Sequence, residues 1–184
     1  AVTKAAAGYG HPDLATFLGQ VELIIHGTTL ATNTLINRNG ARTGMITTKG
    51  FRDIIEIRRG FKNVRTSMYD MFVPPYEPLV PRHLRLEATE RALYSGETLT
   101  ELDETETRAA AERLRGQGVE AVVIGFLHSY ADSTNEQRAS AIAREALPDA
   151  YVTASHEILP VWREYERFST AVVSAYTGPI VERY

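Results

Sequence analysis

The chain has 184 residues, room for one domain or for one domain with a small insertion. Its 20 basic and 23 acidic residues leave a net charge of −3, mixed along the sequence, which argues against a nucleic-acid face or a membrane-binding surface. With 43% apolar and 23% charged residues and no cysteine, the composition fits a globular protein with a real core and excludes disulfides and thiolate chemistry. No apolar run reaches about 18 residues, and the N-terminus lacks a charged-then-apolar signal pattern. A cytoplasmic location is the expectation.

Residues 1–20 are rich in alanine and glycine and read as a linker running into a short helix over 13–18. Residues 21–26 form a nearly continuous apolar run, the pattern of a strand covered on both faces. Gly27-Thr28-Thr29 breaks that run, and a helix is predicted over 30–38, stopped by Asn39-Gly40 in a left-handed conformation. A second strand follows over 43–48, then a turn at Lys49-Gly50 and a short helix near 51–58. The two strands and the helix between them match a βαβ unit.

Between 60 and 81 the periodicity dissolves. Pro74, Pro75, Pro78 and Pro81 and scattered aromatics mark a long irregular excursion. Leu84 and Leu86 alternate with basic residues, and Ser95-Gly96 punctuates a hairpin returning through Leu99, so a small β insertion is expected over about 60–102. Asp103-Glu104-Thr105-Glu106 resembles a capping box and opens a helix to about Arg115, ended by Gly116 and Gly118. A buried strand is predicted over 119–126. Ser133-Thr134-Asn135-Glu136 reads as a second capping box, with its helix running to Ala146. Another strand follows over 151–154. Pro160 suits a first helical position, and Tyr165, Phe168, Val172 and Tyr176 then share one helical face.

Alternating buried strands and amphipathic helices give an α/β fold with a parallel or mixed sheet flanked by helices. Ligands of such sheets gather at the carboxyl ends of the strands. The unusual residues lie at those ends: His26-Gly27-Thr28-Thr29, Thr47-Thr48-Lys49-Gly50, His128-Ser129 and Ser155-His156-Glu157.

Gly27 allows close approach of backbone to an anion, and Thr28 and Thr29 bring hydroxyls beside free N–H groups at a helix start. The same threonines would serve equally as N-caps, and the loop is not a Walker A motif, because the Gly-Lys-Ser/Thr ending is missing. Arg58, Arg59, Lys62 and Arg65 form a basic cluster that matches a phosphate or carboxylate, or simply a solvated surface. His128 and His156 each follow a buried strand and read as catalytic, structural or supporting histidines. No metal-binding spacing such as His-x-x-x-His occurs, and no metal ligand is assigned. Glu164 and Arg167 stand at helical spacing and read as a solvated pair.

In family order over nearly the whole chain, several segments resemble the N-terminal domain of the hydantoinase A / 5-oxoprolinase family, including its N-methylhydantoinase-like members. They are His26-Gly27-Thr28-Thr29-Leu30-Ala31-Thr32-Asn33, Thr47-Thr48-Lys49-Gly50-Phe51-Arg52-Asp53, Leu79-Val80-Pro81-Arg82, Gly118-Val119-Glu120-Ala121, Phe126-Leu127-His128-Ser129-Tyr130, Ser155-His156-Glu157 and Arg163-Glu164-Tyr165-Glu166-Arg167. The resemblance implies an actin-like ATPase, or ribonuclease-H-like, α/β fold. It implies ATP with magnesium, and a reaction in which ATP activates the carbonyl of a cyclic amide (hydantoin, 5-oxoproline or lactam) by phosphorylation before water attacks. Carboxylase members activate a ketone and bicarbonate instead, and a non-catalytic assembly domain is a further alternative. A hydantoinase B-type subunit or fused domain is the implied partner, in an oligomer. Thr28, Thr29 and His128 are the expected catalytic residues; Gly27, Asn33 and Arg59 are the expected substrate or nucleotide contacts. The family's Gly-Gly-Thr-Phe-Thr-Asp phosphate loop is expected before Ala1, and Ser174 stands where Asn is expected. Residues 1–184 are therefore read as an incomplete domain, inactive alone.

Overall fold

The computed structural model describes residues 2–11, 13–23, 27–60, 72 and 76–184. It comprises two compact units, residues 1–30 and 31–184. The first holds two short helices, α1 (Val2–Gly8) and α2 (Leu14–Leu18). Asp13 caps α2 by accepting the Thr16 N–H at 2.8 Å, as the position of an acidic residue before a helix would suggest. Helix α3 (Leu30–Asn37) begins at the last residue of this unit.

In the second unit the elements are β1 (Thr43–Thr48), α4 (Ile54–Ile57), a 3-10 turn (Arg82–Leu84), β2 (Arg85–Ala88), β3 (Arg91–Ala92), β4 (Thr98–Thr100), α5 (Glu104–Gly116), β5 (Ala121–Gly125), α6 (Thr134–Ala146), β6 (Tyr151–Ala154), α7 (Ser155–Ile158) and α8 (Glu164–Arg183). Four strands make one sheet in the order β2-β1-β5-β6, all parallel. Every residue of β1 and β5 is buried. That is the burial a central parallel strand requires, and it explains why β5 reads as an unbroken apolar run rather than an alternating one.

Helices α5 and α6 cover one face; α8 crosses β5, β6 and β1 on the other. Two glycines let these layers close. A Cβ on Gly44 would meet Leu114 of α5 at 2.8 Å, and one on Gly125 would meet the Phe168 ring of α8 at 2.9 Å. Phe168 is completely buried, a contribution of about 1.5–3 kcal/mol from apolar transfer.

Several expectations need correction. Ile24, Ile25 and His26 lie outside the described residues, while Val21, Glu22 and Leu23 form no strand. Leu23 is 73% exposed, so nothing covers the second face that a buried strand needs. The left-handed residue after α3 is Arg38 (φ 52), not Asn39 or Gly40. Gly40 is instead in contact range of the Tyr176 ring, where a side chain would collide. Arg85–Ala88 belongs to the main sheet as its edge strand, whereas β3 and β4 make the separate antiparallel hairpin, turning through Gly96 at φ +86. Helix α8 starts at Glu164, leaving Pro160 in the preceding loop. Residues 61–71 and 73–75 of the irregular excursion lie outside the described residues.

The capping boxes also differ from expectation. Asp103 does cap α5, accepting the Glu106 N–H at 2.9 Å, but the Glu106 carboxylate turns to the Thr89 N–H at 2.8 Å. Ser133 makes no side-chain cap at all. Asp132 accepts the Thr134 N–H at 3.0 Å in its place, which frees Glu136 to point inward.

Candidate functional site

Parallel strands end with peptide N–H groups that have no further sheet partner, and buried polar groups must be satisfied. At the carboxyl ends of β1, β5 and β6 this need is met by side chains. Glu136, on the first turn of α6, is completely buried. Its Oε1 accepts from the Phe126 N–H at 2.7 Å and from the Ser155 hydroxyl at 2.6 Å. Its Oε2 accepts from the His156 N–H at 3.0 Å and lies 2.6 Å from His156 Nδ1. That last contact sets Nδ1 as the donor to the carboxylate and turns Nε2 away from it.

Arg167 of α8 enters from the opposite face, also completely buried. Its three nitrogens donate in three directions: Nε to the Ser155 hydroxyl at 3.0 Å, Nη1 to the Val161 carbonyl at 3.0 Å, and Nη2 to the Phe126 carbonyl at 2.7 Å. Only a planar fork with fixed donors can do this; a lysine cannot. Desolvation pulls the guanidinium pKa below its ordinary value, opposed by the charges of Glu136 and Glu164. The Ser155 hydroxyl gives its one hydrogen to Glu136 and accepts from Arg167, so the Ser129 hydroxyl at 3.3 Å must donate to it.

A second buried carboxylate stands beside this cluster. Glu90 accepts from the Thr48 hydroxyl and from Asn135 Nδ2 at 3.1 Å, while Thr48 accepts the Leu127 N–H at 3.0 Å. Burial raises the Glu90 pKa above the ordinary range, and the charge on Glu136 pushes the same way; the bonds from Thr48 and Asn135 oppose both.

His128 follows β5 at φ +57, a left-handed position that side chains adopt at a cost. Its N–H donates to Glu164 at 3.2 Å, and its Nδ1 lies 3.8 Å from the same carboxylate. Nδ1 is itself buried and takes no hydrogen bond among the described residues. Arg163, at φ 81, opens the helix that carries Glu164. Two non-glycine residues with positive φ at one strand-end mouth are the kind of backbone strain that collects at functional sites.

Of the residues singled out from sequence, His128 and Arg59 converge on the first turn of α8, the former on Glu164 and the latter in an ion pair with Glu166. Gly27, Thr28 and Thr29 are exposed in the first unit. The Thr28 hydroxyl accepts the Leu30 N–H at 3.2 Å, which is the capping role. Asn33 is exposed on α3. Glu136, Arg167 and Glu90 were not among the expected site residues. Glu136 mimicked a cap, and Glu164–Arg167 mimicked a solvated pair; in fact that pair spans 3.6 Å with Arg167 wholly buried. Among the described residues there is no group of three or more His, Asp or Glu side chains able to hold a metal, and no helix is long and apolar enough to cross a membrane.

A sequence profile of the hydantoinase/oxoprolinase N-terminal region matches residues 2–147. The chain belongs to the hydantoinase/oxoprolinase family. It is 43% identical over 170 residues to the caprolactamase subunit alpha of Pseudomonas jessenii, a match covering 92% of this chain and 24% of that protein. The crystal structure of the ATP-dependent caprolactamase from Pseudomonas jessenii superposes with a TM-score of 0.85 at 41% identity, over 100% of this chain and 26% of that one. A nucleotide-free acetone carboxylase structure gives a TM-score of 0.86 at 28% identity, over 97% of this chain and 26% of its own. The chain thus spans about a quarter of the length of these relatives. The α/β architecture with its parallel sheet is shared with these structures, and the buried Glu136–Ser155–Arg167 cluster lies at the carboxyl end of that sheet.

Proposed function

We propose that this chain is part of an ATP-dependent hydrolase that opens a cyclic amide of the lactam, hydantoin or 5-oxoproline type, through phosphorylation of the carbonyl. The reading rests chiefly on the 43% identity to a caprolactamase subunit, in a chain whose strand ends carry a carboxylate-backed imidazole. ATP supplies the activation of an amide carbonyl, which water alone attacks too slowly. Thr28, Thr29 and His128 are the proposed catalytic residues, with Gly27, Asn33 and Arg59 contacting nucleotide or substrate. Hydroxyl donors at a helix start suit developing negative charge. Magnesium is proposed to arrive with the nucleotide phosphates, as this ion usually does. The matched relative is named as a subunit, which supports a partner, proposed here as a hydantoinase B-type subunit or fused domain.

A second reading, a ketone carboxylase subunit, is supported by the TM-score of 0.86 to acetone carboxylase. One experiment separates them. The full-length protein, with its partner subunit, is given ATP and magnesium with caprolactam or 5-oxoproline, and in parallel with acetone and bicarbonate, while ADP and organic product are measured. The hydrolase reading expects ring-opened product in step with ADP, and at least a tenfold loss in Thr29→Val. Carboxylated ketone as the sole product would replace it with the second reading.

A further inference from the structure

The exposed edge of the sheet carries a basic pocket that the strand-end cluster does not use. It measures about 370 Å³ and is lined by Arg52, Arg82, His83, Arg85, Leu86 and Arg113. No carboxylate is among these residues. They come from four places in the fold: the turn after β1, the 3-10 turn, β2 and the second half of α5.

The guanidinium groups are not equivalent. Arg82 is held bidentately by Asp53, at 3.0 Å from both Nε and Nη2. Arg85 is 1% exposed and is anchored from behind, with Nε on the Val80 carbonyl at 3.0 Å and Nη1 on Asp53 at 3.2 Å and Glu56 at 2.8 Å. The bonds of Arg85 to these partners run through Nε and Nη1. The side chains of Arg52 and Arg113 have no hydrogen-bond or ion-pair partner among the described residues. Surface arginines without partners are common singly. Here two flank a third that is buried and immobilised in the same lining.

Asp53 and Glu56 offset two of the four positive charges of the lining, while Glu87 and Glu106, in the adjoining space that shares Arg52, Arg85 and Arg113, are engaged by the Gly50 N–H and by Lys49 and the Thr89 N–H. A guanidinium anchored by Val80, Asp53 and Glu56 and flanked by those of Arg52 and Arg113 matches an oxyanion group that accepts from several forks at once. Leu86 adds one apolar wall. The pocket is also separate from the strand-end cluster. Arg85 pairs with Met45, three residues before Thr48, roughly 10 Å back along the strand direction.

We propose that this pocket is a binding site for a small, multiply charged oxyanion, of the phosphate or dicarboxylate class. It does not depend on the hydrolase reading, because binding alone reports it. The test is calorimetric titration of the full-length protein with inorganic phosphate and, separately, with malonate, in parallel with the Arg52→Gln/Arg113→Gln double variant. ATP titration of both proteins serves as the control for the nucleotide site. The expected result is saturable binding of one probe by the native protein and at least tenfold weaker binding by the double variant, with ATP affinity unchanged. Whichever probe binds names the source of the oxyanion. Neither probe binding, or equal binding by both proteins, would overturn the proposal. A parallel loss of ATP affinity would do so as well, since the arginines would then serve the nucleotide.

Discussion

Glu136 and His156 stand 20 residues apart in sequence and meet with Oε2 at 2.6 Å from Nδ1, inside the strand-end cluster. The same carboxylate holds the His156 N–H, the Phe126 N–H and the Ser155 hydroxyl. One side chain therefore ties the start of α6 to the ends of β5 and β6, and its charge opposes the desolvation of Arg167.

Removing that carboxylate leaves a buried cation undercompensated and two buried N–H groups unpaired. Glu136→Ala is expected to cost about 2–5 kcal/mol, since each buried donor left unsatisfied costs about 1–3 kcal/mol. Urea unfolding monitored by circular dichroism measures it. A loss of less than about 1 kcal/mol would mean that water or a shifted side chain replaces the carboxylate, and that the cluster is not the keystone of this end of the sheet.

Glu90 gives a pH signature of defined sign. Burial, with the Glu136 charge in support, raises its folded-state pKa above the ordinary 4.5. The folded state therefore holds this proton to higher pH than the unfolded chain does. The stability tied to Glu90 is full below the unfolded value and is lost as pH rises through the folded one. Glu90→Gln keeps an acceptor for Thr48 but cannot ionise. Its stability relative to the native protein should rise as pH increases above the ordinary value of 4.5. Denaturation midpoints of the two proteins across that range provide the comparison; a constant difference would show that Glu90 titrates as though it were solvated.

The sequence was legible where burial dictates pattern. Strand 43–48 emerged at its observed limits, and 119–126 and 151–154 enclose or match β5 and β6, because β-branched and apolar residues bounded by turn signals dominate all three. The hydantoinase/oxoprolinase resemblance likewise agrees with the match over residues 2–147. What local pattern could not reveal was the use of polar residues. A glutamate three places after a serine looks the same whether it folds back to cap its helix or reaches into the core. Asp132 decides the matter by taking the Thr134 N–H. Arg167 misled for a related reason: its spacing from Glu164 suits a solvated pair, and only the carbonyls of Phe126 and Val161, brought in from other elements, explain its burial. The turn arginine at 38 likewise carries no sequence mark of its positive φ, while Gly40, which does look like a stop, answers to Tyr176 instead.

His128 allows fold and chemistry to be separated at one position. Its φ of +57 disfavours a side chain, by about 1–2 kcal/mol for an ordinary residue. Glycine removes that penalty but adds about 0.5–1 kcal/mol of backbone entropy to the unfolded chain. The two effects nearly cancel, so His128→Gly should stay within about 1 kcal/mol of native stability. His128→Val should be clearly less stable, because a β-branched residue tolerates this backbone worst. If the imidazole takes part in the proposed lactam-opening reaction, His128→Gly in the full assembly should lose at least tenfold in ATP-dependent turnover while its melting temperature stays near native. Full turnover in that variant would strip the imidazole of any chemical role and leave the residue as a turn former beside Glu164.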